Sequence, residues 1–202
     1  MLEPLDIGQA KKLFKEWDLR HAWHSPTPEF IEHCKKKARE SLDLAGYLLE
    51  KIENTSELEN NDAVTLWIIT QSYYSMFFEV EYLLSLGGRK LPEGTKDTHK
   101  TVYLAFIYYY LIKCSELEQK KPVEMTTSRM SRALAIFKEL QDETMELQRV
   151  AKSAEDLKRQ KDKRHLFTYK MSRSAEISEA KTSLEKAKEF RELIEEYILT
   201  RK

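Results

Sequence analysis

The feature that most constrains this chain is the stretch from about Ala63 to Leu86. Leu66, Trp67, Ile68, Ile69, Tyr73, Tyr74, Met76, Phe77, Phe78 and Val80 leave it apolar on almost every side of a helical period. A helix of that kind cannot lie on a protein surface; it must be covered by other elements, which predicts a central helix in a bundle. Val102 to Ile112 is the longest unbroken apolar run, eleven residues, well short of the roughly 20 that a membrane span needs. The buried surface is therefore expected to face other parts of the protein and not lipid.

The remainder of the chain follows helical spacing. Leu5, Leu13, Phe14 and Trp17 suggest a loosely amphipathic first helix that ends before Ser25-Pro26-Thr27-Pro28. Ala38, Leu42, Ala45, Leu48, Leu49 and Ile52 recur at threes and fours and predict a second, stopping in the acidic, Asn-rich stretch Glu53 to Asp62. Gly87-Gly88 should terminate the third helix, Leu91-Pro92-Glu93-Gly94 should turn the chain, and Asp97 or Thr98 should cap a fourth. Ser115 to Met125 reads as a loop. Met130, Leu134, Phe137, Gln141, Thr144, Leu147, Ala151 and Ala154 predict a long fifth helix with a partly polar seam, and Ala180, Leu184, Ala187, Phe190, Ile194 and Tyr197 a sixth. Five Gly and five Pro are too few for a turn-rich sheet protein. The expected fold is an all-α helical bundle of about five to six helices.

Composition excludes several function classes. Charged residues at 34% and hydrophobic residues at 41% rule out a disordered chain. Lys plus Arg and Asp plus Glu are 34 each, which excludes a globally basic nucleic-acid binder but permits a local basic patch. Cys34 and Cys114 supply neither a disulfide framework nor metal-type spacing. His21, His24, Glu29, Glu32 and His33 do not match a zinc or di-iron pattern. No Gly-rich phosphate loop, Gly-x-Ser-x-Gly string or paired-Cys motif occurs. No cofactor and no metal is expected, and the absence of a basic-then-apolar start predicts a cytoplasmic protein.

One segment breaks the charge balance. Lys158, Arg159, Lys161, Lys163, Arg164, Lys170 and Arg173 face a single acid, Asp162, and are interleaved with His165, Phe167 and Tyr169. Cations neutralise phosphates and aromatic rings stack on bases, so this pattern suits RNA. A solvated, merely basic connection between helices would have the same composition. Arg164 and Tyr169 are five apart and would diverge by about 140° on an ideal helix, so a shared cleft needs an irregular connection there.

Several strings resemble HEPN-domain proteins. Ala38-Arg39-Glu40-Ser41-Leu42-Asp43-Leu44-Ala45 and Ser72-Tyr73-Tyr74-Ser75-Met76-Phe77-Phe78 resemble the first two core helices of that family. Thr98-His99-Lys100 with Ala105-Phe106 resembles its next helix, and Ala187-Lys188-Glu189-Phe190 with Tyr197-Ile198 its closing one. The likeness covers about residues 33 to 200 and implies an N-terminal helical extension at 1–30 followed by a HEPN-like bundle at 31–202. Many members are ribonucleases, frequently toxins paired with a nucleotidyltransferase-like antitoxin, with four to six residues between Arg and His before the last helix.

Arg164-His165-Leu166-Phe167-Thr168-Tyr169 resembles a branch in which Tyr takes the second position, with Thr168 where that branch has Asp. Arg159 to His165 also meets the Arg-to-His spacing. The resemblance thus implies a metal-independent endoribonuclease site of Arg164 with His165 or Tyr169, and Arg159 beside it. His suits proton transfer near neutral pH and Arg suits the phosphorane charge. Lys158, Lys161, Lys163 and Arg173 would hold phosphates, and Tyr74 would approach the same groove while its neighbour Tyr73 packs in the core. The other reading is a non-catalytic HEPN interaction or nucleotide-binding module. A homodimer is expected, because the third and fourth helices carry more aromatic surface than a small bundle covers by itself.

Overall fold

The computed structural model describes residues 4–55, 62–113, 124–159 and 177–200. It is an all-α bundle, with six α-helices among the described residues: α1 (Pro4–Leu19), α2 (Pro28–Asn54), α3 (Asp62–Leu86), α4 (Thr98–Phe106), α5 (Glu124–Arg159) and α6 (Ile177–Leu199). Among the described residues no strand occurs, only an isolated antiparallel bridge between His24 and Lys90. That bridge, with N–H···O distances of 3.0 and 2.9 Å, ties the loop after α1 to the loop after α3.

Local chemistry explains the helix ends. The Thr27 hydroxyl accepts from Phe30 N–H at 3.2 Å and Pro28 opens α2, where its missing N–H costs nothing. Past the end of α3, Gly88 sits at φ +75°, a left-handed conformation suited to glycine, while Arg89 N–H closes onto Leu84 C=O at 3.0 Å. Asp97 holds the cap position of α4 but at φ 49°, and its side chain makes no capping bond. The Thr98 hydroxyl instead reaches Thr95 C=O at 3.0 Å. Met125 already lies within α5 and not in a loop.

α3 is the central element, packing against α2, α4, α5 and α6. The fully buried side chains include Ile68, Ile69 and Met76 from α3, Phe106 from α4, Phe137 from α5 and Phe190 from α6. The ring of Phe137 lies 5.8 Å from both Tyr73 and Phe190. Each such side chain contributes about 1.5–3 kcal/mol of burial. α5 and α6 run antiparallel, joined by Arg129–Glu196 at 3.1 Å, Arg132–Glu189 and Lys186–Glu139 at 2.8 Å. Lys181–Glu53 at 2.6 Å ties α6 to α2. These exposed pairs are worth little each and act mainly on register.

α1 belongs to the same core. Phe14 and Ala10 are fully buried, and α1 packs on α4 and on the π-helical turn Ile107–Ile112 that continues it. Tyr103 donates to Asp6, Tyr109 donates to Asp18, and Lys113 pairs with Asp18 at 2.6 Å. Trp23 N–H donates to the Tyr109 oxygen at 2.8 Å. Val102 to Ile112 is therefore buried throughout within one chain, and the aromatic surface expected to be left open on the fourth helix is covered. The large apolar side chains that stay exposed include Trp67 at 56% and Tyr47 at 55%.

Candidate functional site

Of the residues singled out by sequence, Tyr74 is described. It is half-buried on α3 and packs against Tyr73, Phe77 and Phe78, with its ring 5.8 Å from His99. Lys158 and Arg159 close α5. Lys161, Lys163, Arg164, His165, Tyr169 and Arg173 lie outside the described residues. The basic stretch thus occupies, in sequence, the end of α5 and the connection to α6.

Around Tyr74 the structure assembles a polar cluster in the seam between α3, α4 and α5. Tyr73 is 3% exposed, and its hydroxyl lies 2.7 Å from His99 Nδ1 and 3.5 Å from Gln141 Nε2. Gln141 Nε2 donates to the phenol oxygen, and the phenol donates to Nδ1 in the tautomer that carries the imidazole proton on Nε2. Burial pushes the His99 pKa below its ordinary value, in keeping with a neutral ring, and pushes the Tyr73 hydroxyl up. The His99 ring sits 4.6 Å from Phe77 and 5.6 Å from Tyr73. This cluster positions the adjacent tyrosines differently: Tyr73 is locked in the core, while Tyr74 stays accessible beside His99.

A second constellation was not visible in the sequence. Between α2, α3 and α6 a cleft of about 260 Å³ is lined by Lys35, Arg39, Glu79, Tyr82, Arg191 and Glu195, with Ile198 and Leu199 at its apolar end. Glu79 is 6% exposed. Its carboxylate lies 3.9 Å from the Arg191 guanidinium, which is held more closely by Glu195 at 2.8 Å. Burial outweighs the attraction of Arg191 and Lys35 and pushes the Glu79 pKa up to about 7. Periodicity weighs a helix by its apolar residues, so a lone acid inside α3 passes unnoticed. The available signal was Phe78-Glu79-Val80-Glu81, two acids in an otherwise apolar helix that must be covered on all sides.

Among the described residues no three His, Cys, Asp or Glu side chains gather as a metal site, and no helix is long and apolar enough to cross a membrane. The buried Cys34 thiol is pushed up to about 12 by desolvation, which leaves it unreactive. Compared with protein-family models, curated proteins and solved structures, the chain matches none.

Proposed function

We propose that this chain is a HEPN-like RNA-binding protein and metal-independent endoribonuclease, acting as a homodimer in the manner of a toxin restrained by a nucleotidyltransferase-like antitoxin. The observation that supports the reading is one of placement. The strings that carry the family likeness on α2, α3 and α6 fall on helices that pack on one another, and the tyrosine-rich string on α3 is the most specific of them. Arg164 then supplies the cation beside the phosphorane, His165 or Tyr169 the proton transfer, and Lys158, Lys161 and Lys163 the phosphate contacts. Tyr74, accessible beside His99, offers a ring for a base.

Incubation of the purified protein with total RNA in EDTA tests this reading directly. Fragmentation that disappears in Arg164→Ala supports it. Unchanged cleavage and binding in that variant would remove Arg164 from the site, and an absence of fragmentation by the wild type would leave a non-catalytic interaction module as the better description. Light scattering at micromolar concentration tests the dimer, for which exposed Trp67 and Tyr47 supply apolar contact area.

A further inference from the structure

The cleft between α2, α3 and α6 holds more positive charge than the fold itself employs. Lys35 and Arg39 stand one turn apart on α2, both exposed, and neither has an ion-pair partner among the described residues. Arg191 faces them from α6 and is engaged by Glu195. With Glu79 protonated, the three cations are opposed by Glu195 and by Asp43, whose charge also acts on Arg191, which leaves an excess of one positive charge. Next to them lie the Tyr82 ring and the apolar ends of Ile198 and Leu199, the latter 69% exposed.

We propose that this cleft binds a phosphomonoester, with the phosphate among Lys35, Arg39 and Arg191 and an apolar body against Tyr82 and Leu199. A phosphomonoester carries about −1.5 to −2 charges at pH 7 and presents three acceptor oxygens to the three cations, whereas a carboxylate presents one charge and two oxygens. The two guanidinium groups can each meet phosphate oxygens with paired N–H donors. The volume of about 260 Å³ lies just under the range of drug-sized sites, which favours a phosphate with a short body. Glu79 at the floor donates a hydrogen bond to the phosphate when protonated and repels it when ionised. The charged and titratable groups that act on Glu79 are Lys35 on α2 and Arg191 and Glu195 on α6, with Tyr82 on α3 and Arg39 on α2 also lining the cleft. Since its carboxyl titrates near pH 7, affinity falls as pH rises through that value.

This site does not rest on the RNA reading. From Ile177 to Glu195 is about 27 Å along α6 at 1.5 Å per residue, so the cleft lies far from the helix end that the basic segment precedes.

Titration of the full chain, labelled with ¹⁵N, with phenyl phosphate, inorganic phosphate and phenylacetate at pH 6.5 tests the proposal. Phenyl phosphate should shift amides near residues 35–39, 79–82 and 191–199. Inorganic phosphate should act on the same amides more weakly, and phenylacetate should bind about tenfold or more weakly than phenyl phosphate. Lys35→Gln with Arg39→Gln, both at exposed positions, should keep the thermal midpoint and lose about tenfold in affinity. Glu79→Gln should bind phenyl phosphate with little change between pH 6.5 and 8.5, where the wild type weakens several-fold although the ligand is a dianion throughout most of that range. Shifts confined to other residues, equal binding of phenylacetate, or an unchanged double variant would each overturn it. Should Glu79→Gln fail to fold, the double variant and the ligand comparison still decide.

Discussion

At the scale of single residues, the adjacent tyrosines of α3 show how much of a site sequence can specify. Two neighbours on a helix point about 100° apart, so Tyr73 and Tyr74 had to serve different surfaces. The structure buries Tyr73 and leaves Tyr74 half-open, yet what holds Tyr73 is the pair His99 and Gln141, from helices whose relative placement no local pattern encodes. Tyr73→Phe should therefore leave two polar groups without a partner and cost about 1–3 kcal/mol in urea unfolding. The His99 ring should titrate below an ordinary imidazole by NMR. Because its folded pKa is lowered, the unfolded chain binds the proton first, and stability falls as pH drops below about 6.5. Glu79 is the opposite case: its identity was plain, but its importance depended on Arg191, more than a hundred positions away.

At the scale of elements, helical period revealed α2 and α6 because each buries a stripe whose repeat is visible in one strand of text, while α3 was revealed by being apolar on almost every side. The π-helical turn Ile107–Ile112 left no such trace, since a run apolar on every side looks the same whether its hydrogen bonds span four residues or five. α1 was legible as a helix and illegible as core. Its docking is carried by Phe14, stacked 5.5 Å from Trp23 and lying 5.8 Å from both Tyr108 and Tyr109, all distant in sequence from α1 or just beyond it. Phe14→Ala should cost about 3–5 kcal/mol in global unfolding, the cost of a core aromatic. A loss under about 1 kcal/mol would mean that α1 is an appendage after all. Where α3 ends, Gly88→Ala forces a side chain into a left-handed conformation at φ +75° and should cost about 1–2 kcal/mol by thermal melting, although the added Cβ meets no neighbour.

At the scale of the whole molecule, zero net charge conceals an uneven interior. Glu79 and Glu81 are both pushed up to about 7 by burial on α3, and His99 is pushed down. For a carboxyl whose folded pKa is raised, the folded chain holds the proton that the unfolded chain releases near pH 4.3. Stability is thus complete below about pH 4.3 and is lost as pH rises to about 7. His99 works in the other direction, but its effect ends near pH 6.5, so above that value the two glutamates act alone. Between pH 6 and 8 each should remove about 1 kcal/mol, together lowering the melting temperature by roughly 5 °C. Glu79→Gln, which keeps the shape and removes the ionisation, should halve that fall. A melting temperature that rises steadily from pH 6 to 8, or a fall as steep in Glu79→Gln as in the wild type, would show that the α2–α3–α6 cleft solvates this carboxylate and that its burial carries no cost.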